Sequence, residues 1–529
     1  MVIVGSNAVG KTVLLHELYQ GAIAWAPAHG HGKWVDRVDM TSSDPVSDGK
    51  QLIESLEQLG SAQSPQYRSS AVKTMLMTPQ DQGFGQAEYQ TLKHNVDTKS
   101  DELASILAGN VRYRLPFVAL ETVDSRLLVP SVAPLQAIHE APQDPLNVLT
   151  RDPVRLTQLT DRIFERFGMR LVLLSHAQTQ LELGTAKAAL PSELHSEARP
   201  AQKFRLTEAW KASNWTRMEE SGHGIRAMTR LLLTILEKTN HVVLVDEPEL
   251  HLHPSQKRIL GRTLVEAAQQ EGRQLIIVTH DATLLQGVLD SGRSVDILRV
   301  ASDGDERTIR QFRTNAEAHE GSGVTQREFL NALFYSRVVL VEGAADRHFY
   351  QAVIEMFHLD AGREVGFAAG SGIGGIMNVA ALCKAVGVPF SVVVDFDALF
   401  KNKSVVLTKL TQLCGGKVPE GLAPALAALI AAIESASEGS NPEKILKRSG
   451  LRAPGLPTAL VAEISGYLDS LNSVGVHVVP RGALGSWCPS VDDSSRFADL
   501  ALERFRVDET LGQPAATFLK TLLNGIKAR

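Results

Sequence analysis

Cysteine is nearly absent: Cys383, Cys414 and Cys488 are the only three in 529 residues, and none stands in Cys-x-x-Cys spacing. That excludes a disulfide framework and a thiolate zinc site, and it fits a reducing cytosol, so a cytoplasmic location is expected. No apolar run reaches the roughly 18 residues that a membrane span needs, so no membrane partner is expected. The longest candidate, Leu422 to Ile433, is an Ala-rich stretch with a proline near its start. A surplus of positive charge is missing too. The chain has 54 Lys+Arg against 59 Asp+Glu, a formal charge of −5, so any nucleic-acid surface must be a local patch. No signal peptide is legible, because Met1 to Val4 run straight into a glycine loop. What is present is ordinary globular material: 44% hydrophobic and 21% charged residues. The length suits about three domains and more than one buried core.

Periodicity sharpens along the chain. A strand leads into GSNAVGKT and a helix from Thr12 to about Ala24. Residues from about 30 to 200 are less regular, although Asp152-Pro153 is a good helix start, followed by Val154, Leu156, Leu159, Ile163 and Phe167. From Ile225 the order is a helix to Leu236, a strand (Val242 to Val245), a helix opening at Pro254 and a strand (Leu275 to Val278). A second alternating unit follows: a strand (Val338 to Val341), a helix (Asp346 to Phe357), a strand (Val365 to Ala368), a helix (Ile376 to Val386) and a strand (Ser391 to Val394). Alternation of this kind implies mainly parallel sheets. The polar loop Asn315 to Val324 is the expected junction.

GSNAVGKT fits the phosphate-binding loop G-x-x-x-x-G-K-[ST]. Gly5, Ser6, Asn7, Ala8, Val9 and Gly10 would offer backbone N–H groups to the phosphates. Lys11 would reach the β- and γ-phosphates, and the Thr12 hydroxyl would ligate Mg²⁺. The strand in VVLVDEPELHLHP ends in two acids, with Asp246 suited to the Mg²⁺ shell and Glu247 to polarising the attacking water.

Ser221-Gly222-His223-Gly224, standing just before a helix, resembles the signature motif of ABC-type ATPases, and the resemblance assigns Ser221, Gly222 and Gly224 to nucleotide binding. His280, at the end of a strand, resembles their switch histidine. DEPELHLHP is similar to the RecF/SMC-like and OLD branches of those ATPases. Asp124-Ser125-Arg126-Leu127 resembles an Asp-x-x-Arg-Leu element of some such heads, or is an ordinary turn. Gln80 and Gln82 are weak candidates for a glutamine that couples nucleotide to an inserted arm. ABC-type heads usually carry a leading strand before the phosphate loop. With only Met1 to Val4 ahead of Gly5, the chain is expected to be short of that strand or to bind ATP weakly.

In SRVVLVEGAADRHF a strand ends at Glu342-Gly343, and Asp346 follows in the first turn of a helix. SVVVDFD ends another strand in Asp395 and Asp397. Carboxylates gathered at adjacent strand ends repel one another unless a cation neutralises them, and all-oxygen ligation favours Mg²⁺, with Mn²⁺ as the alternative. This order resembles the Toprim fold of topoisomerases, primases and OLD-family nucleases. The resemblance implies that Glu342, Asp346, Asp395 and Asp397 hold metal, with Glu342 and Asp395 catalytic. It also departs from that pattern: Asp346 stands where many relatives have Glu, and Ala483 and Gly485 occupy positions that are acidic in a late Gly-x-x-Glu element. Lys401, Lys403, Lys444 and Lys447 are all candidates for a lysine near the metals. Trp210 and Trp215 read as packing of an amphipathic helix rather than base stacking.

The fold expected is α/β: an ABC-type P-loop NTPase head over residues 1–314, with a long inserted lobe over about 30–200. A Rossmann-like Toprim domain with a C-terminal helical extension follows over 325–529. The resemblance to OLD-family nucleases implies an ATPase with ATP and Mg²⁺ as cofactors, and metal-dependent cleavage of nucleic acid, DNA ahead of RNA. It further implies a homodimer or higher oligomer, a partner defence protein, and a role in anti-phage defence or genome maintenance. The alternatives are an ATP-gated sensor or scaffold whose Toprim domain does not cut, and a RecF/SMC-like DNA-repair ATPase.

Overall fold

The computed structural model describes residues 1–5, 11–22, 56–59, 66–69, 83–98, 118–137, 145–176, 179–191, 200–237, 241–303, 306–314, 323–359, 365–436, 441–491 and 496–527. Ser6 to Gly10, Gln80, Gln82 and most of the expected junction (315–322) lie outside them. Chain contacts divide into two compact units: Met1–Ile3 with Gly10–Val295, and Val4–Val9 with Asp296–Arg529.

In the first unit four parallel strands run in the order β1 (Val2–Gly5), β11 (Gln274–Val278), β10 (Val242–Asp246) and β5 (Val118–Glu121). These are short aliphatic runs, and strands covered on both faces are built that way. Val243, Leu244 and Val245 are essentially sealed from solvent. Val118–Glu121 falls inside the stretch expected as an inserted lobe, yet it pairs along β10 from Val242↔Val118 to Val245↔Glu121. An edge strand of this sheet therefore stands within the stretch expected as an inserted lobe. Elsewhere in that stretch stand two antiparallel sheets. One is β2 (Leu56–Leu59), β3 (Gln66–Ser69) and β4 (Gly83–Gly85). The other joins β6 (Val132–Pro134), β7 (Arg170–His176) and β8 (Gln180–Ala186) to β9 (Trp215–Arg217), which lies beyond the stretch.

Helix α1 (Lys11–Ala22) follows the phosphate loop. Helix α2 (Pro153–Phe167) begins as its sequence predicts: the Asp152 side chain accepts from Arg155 N, Pro153 occupies the first turn, and Gly168 at φ 64 closes it. Next come α3 (Pro200–Asn214), α4 (His223–Leu236), α5 (Pro254–Gln270) and α6 (Ala282–Leu289). Trp210 is buried with Val172, Leu174 and Ala186, and Trp215 packs against the same cluster with Lys211 Nζ 4.2 Å from its ring centre. Both tryptophans therefore serve packing.

The second unit opens with the strand pair β12 (Val295–Asp303) and β13 (Glu306–Thr314), then α7 (Gly323–Ala332). Its four-stranded parallel sheet has the order β15 (Val365–Ala369), β14 (Arg337–Val341), β16 (Phe390–Val394) and β17 (Val476–Val478). Crossover helices α8 (Ala344–Met356) and α9 (Gly372–Val386) join the strands. The connection from β16 to β17 carries α10 (Lys401–Leu413), α11 (Leu422–Ala436), α12 (Pro442–Ser449) and α13 (Thr458–Ser473). Finally, α14 (Phe497–Val507) and α15 (Glu509–Lys527) pack into the core with Phe349, Tyr350 and Trp487. No helix among the described residues is long and apolar enough to cross a membrane.

Candidate functional site

Two sets of acids stand at the C-terminal ends of parallel strands, where an open α/β sheet leaves a crevice for ligands. In the first unit Asp246 ends β10, and the Thr12 hydroxyl donates to its Oδ1 at 3.2 Å. The two expected Mg²⁺-binding groups therefore meet, and Lys11, beside Thr12, is buried. Glu247 turns the chain sharply at φ 49, a conformation that a non-glycine residue holds only when its surroundings enforce it. Its N–H donates to Val278 O at 2.8 Å, its carbonyl accepts from Arg126 Nη1, and its carboxylate contacts His280 Nε2. The expected water-polarising acid and switch histidine are thus a contacting pair.

Arg126 is fully buried. Burial pulls its guanidinium below the ordinary value, while Glu249, Asp246, Glu121 and Glu247 hold it charged. Asp124-Ser125-Arg126-Leu127 is accordingly both a tight turn and the cationic floor beneath the acid pair. Glu121 is tied beside it by Ser125 (2.7 Å), Arg230 (2.9 Å) and Thr234 (2.6 Å).

Sequence reasoning missed Glu249. Its Oε1 accepts from Thr279 Oγ1 at 2.6 Å and from His280 N at 3.2 Å, fixing the backbone that presents His280. Burial raises its carboxyl to about 7. The only signal was a third acid in DEPE. Ser221 is buried and shares a hydrogen bond of 2.9 Å with Thr185. Gly222 caps α4. At Gly224 a Cβ would stand 3.2 Å from His251 O and 3.0 Å from Leu252, so the Ser-Gly-x-Gly turn lies against the loop that follows the acid pair.

In the second unit Glu342 follows β14, and Asp395 and Asp397 follow β16. One oxygen from each lies within 4.8 Å of the other two. Asp395 N–H donates to Glu342 Oε1 at 3.0 Å, and the Gly-rich turn donates Gly372 N–H to Glu342 O at 2.9 Å. Asp346, in the first turn of α8, is not one of the three that converge. It acts on them through charge. Burial, then Glu342, raises Asp346 to about 6. Burial, then Glu342, Asp346 and Asp397, raises Asp395 to about 8. Burial also raises Glu342. Acids that oppose one another's ionisation and converge on one point fit a hard divalent cation.

Of the four candidate lysines, Lys403 reaches both oxygens of Asp397 at 2.8 and 2.9 Å, and Lys447 stands 3.7 Å from Asp397 Oδ2. Burial works against the Lys403 ammonium, and Asp397 overrides it to raise the pKa. Ala483 caps a short helical turn and Gly485 lies within it, and they offer no carboxylate there. The strand expected before that turn is β17, paired in parallel with β16. A support that the sequence did not signal is Glu328: it holds Arg347 of α8 at 2.8 and 2.9 Å and accepts from Ala369 N at 2.9 Å.

Residues 158–286 match the family described as "AAA domain, putative AbiEii toxin, Type IV TA system". Residues 333–397 match the "Overcoming lysogenization defect protein-like, TOPRIM domain" family. The chain is an OLD-like fusion of an ATPase domain with a Toprim domain. It is 29% identical over 165 residues to the OLD nuclease of Thermus scotoductus, covering 29% of this chain and 30% of that protein. Over 185 residues it is 24% identical to the Old nuclease of Escherichia phage P2, covering 33% and 30%. The matched stretch thus spans under a third of either relative. A solved structure of the SmcHead bound to the C-winged helix domain of ScpA is 11% identical, with a TM-score of 0.32 over 59% of this chain and 89% of that one. The fold class is α/β with P-loop ATPase-like and Toprim domains, and the two domains imply use of nucleotide and of a divalent metal.

Proposed function

We propose that this OLD-like chain hydrolyses ATP in its first unit and cleaves nucleic-acid phosphodiesters, DNA ahead of RNA, at its Toprim acids. The observation that carries the reading is the convergence of Glu342, Asp395 and Asp397, matched in family terms by the Toprim domain around it. Mg²⁺, or Mn²⁺, held by these acids would activate water and stabilise the leaving oxygen of the cleaved strand. The chain's own part is to keep the acids together: Asp395 N–H pins Glu342, and Lys403 holds Asp397 in place.

At the nucleotide site Lys11 and Thr12 would bind the phosphates and Mg²⁺ with Asp246. Glu247 would polarise water and His280 would hold Glu247 in register. The phosphate-loop residues Gly5 to Gly10 would cradle ATP. Ser221, Gly222 and Gly224 would act on nucleotide across a homodimer, as their likeness to a signature motif suggests. On this reading the chain would act in the cytoplasm, in anti-phage defence or genome maintenance, with a partner defence protein.

A second reading, an ATP-gated scaffold that does not cut, is favoured by one observation. Asp397 is already ion-paired to Lys403, while Ala483 and Gly485 supply no replacement acid. Incubating plasmid DNA and structured RNA with Mg²⁺ or Mn²⁺, with and without ATP, decides between the two. Cleavage by the wild type but not by Glu342→Ala or Asp395→Ala supports the nuclease. Equal cutting by all three would expose a contaminant and leave the scaffold.

A further inference from the structure

A basic seam runs away from the Toprim acids. It begins at Lys447 on α12, 3.7 Å from Asp397, and continues where the segment after α12 meets the turn after β17. Those two pieces of backbone are pressed together unusually closely. Leu451 N–H donates to Pro480 O at 2.9 Å. Gly450, at φ 53, leaves room where a Cβ would stand 2.2 Å from Pro480 O, and Gly482, at φ 123, does the same 2.4 Å from Lys447 O. Only glycine tolerates both the dihedral and the contact. The turn is in turn anchored to the acids, since Phe396 N–H, between Asp395 and Asp397, donates to Gly482 O at 2.7 Å.

This construction brings two like charges together. Arg452 and Arg481 each neighbour one end of the Leu451–Pro480 bond, and neither forms an ion pair with a carboxylate among the described residues. Burial, then the charge of Arg452, holds the Arg481 guanidinium below its ordinary value. Arg481 is also oriented from beneath, 5.8 Å from the centre of the buried Trp487 ring. Packing two cations together with no anion costs stability, as packing carboxylates without a metal does. Guanidinium pairs match phosphate oxygens in geometry as well as charge.

We infer that Arg452 and Arg481 form a phosphate clamp that seats the backbone of a nucleic-acid strand beside Glu342, Asp395 and Asp397. The clamp rests on the nuclease reading and deepens it. The acidic balance of the whole chain does not oppose it, because phosphate contacts need only a local patch. Contacts of this kind position a strand without reading its sequence.

The test is binding, kept separate from cutting. In an Asp395→Asn background, anisotropy of a labelled DNA oligonucleotide with Mg²⁺ is followed at several salt concentrations for the full chain. Arg452→Gln/Arg481→Gln is compared with Arg504→Gln/Arg506→Gln, which removes equal charge from exposed positions on α14. The clamp variant should bind about tenfold or more weakly and lose about two from the slope of log affinity against log salt. Its thermal midpoint should be no lower than the parent's, since a like-charge pair is removed, its ATP turnover should be unchanged, and the control pair should behave as the parent. Equal loss in both pairs would mean bulk charge only, and unchanged binding in the clamp variant would overturn the clamp outright. Polyglutamate binding as tightly as DNA would assign the seam to an acidic protein instead. A parent that binds no nucleic acid at all would sink the nuclease reading itself, a different result from the loss of the clamp.

Discussion

The two acid groups of this chain sit at equivalent places, the C-terminal ends of parallel strands, and are held in opposite ways. At the ATPase site the chain supplies partners for its acids. Thr12 donates to Asp246, His280 meets Glu247, and Arg126 lies beneath with its charge on four carboxylates. At the Toprim site three carboxylates converge with Asp346 close by, and of these acids only Asp397 is ion-paired among the described residues, to Lys403 and Lys447. Asp395 is raised to about 8 and Asp346 to about 6. The first group is organised by protein before any ligand arrives. The second gives Glu342 and Asp395 no ion pair among the described residues, an arrangement that a divalent cation would complete.

The largest effect that could break this comparison is functional separation. Lys11→Ala and Glu247→Gln should lower ATP turnover by at least about a hundredfold, the scale of losing a transition-state contact. Glu342→Ala and Asp395→Ala should abolish cleavage and leave ATP turnover within about twofold of wild type. Measuring both rates on all four variants checks this. A Toprim substitution that also abolished ATP turnover would mean that the two acid groups are not independent.

Arg126 comes next. Removing it leaves Glu121, Asp246, Glu247 and Glu249 around an empty cationic position and frees the Glu247 carbonyl. Breaking a buried charge pairing from one side costs about 3–5 kcal/mol, so Arg126→Ala should lower unfolding stability by about that much in denaturant titrations. A loss under about 1 kcal/mol, the size expected of an exposed ion pair, would mean that the floor beneath the acid pair is not cationic in effect.

Glu249 gives this protein-organised site a pH signature. Its carboxyl is raised from 4.5 to about 7, so the folded chain binds a proton there that the unfolded chain releases. The stability it contributes is complete below 4.5 and is lost as pH rises through 7. The loss amounts to about 3 kcal/mol by linkage. Glu249→Gln keeps an oxygen to accept from Thr279 and His280 but cannot ionise. Denaturation at intervals from pH 4.5 to 8 should show a decline in wild type that is shallower in the variant, where Asp346 and Asp395 still titrate. Parallel declines would place the titration elsewhere.

The sequence revealed these sites unequally, and for physical reasons. Strand–acid junctions are local: an aliphatic run buried on both faces must end where the chain meets water, so Asp246, Glu342 and Asp395 were legible with their elements. That β14, β15 and β16 run parallel followed from alternation, whereas their order in the sheet did not. Cross-chain supports were not legible. Glu328 grips Arg347 and Ala369 N from a different helix, and Glu249 pins His280 across two loops. Lys403 could be singled out from Lys401, Lys444 and Lys447 only once the turn after Asp397 was seen. Val118–Glu121 went unrecognised as the edge strand of the first sheet because four residues carry too little periodicity to outweigh the irregular sequence around them.

The smallest effect bears most directly on the difference between the two sites. If the Toprim acids are completed by a cation, adding Mn²⁺ should stabilise the folded chain by mass action, about 2.7 kcal/mol at a hundredfold excess over the dissociation constant. Lys11→Ala with Asp246→Asn would remove the competing nucleotide-site metal without touching the Toprim acids. In that background Mn²⁺ should still raise the melting temperature, and Glu342→Ala or Asp395→Ala should abolish the rise. In the absence of metal Asp395→Asn should be no less stable than its parent, since it removes a charge that its neighbours oppose. If Mn²⁺ stabilised the Asp395→Asn chain as strongly as its parent, the metal would be bound elsewhere. The raised carboxyls at the Toprim strand ends would then reflect burial and their mutual repulsion, with no cation to relieve it.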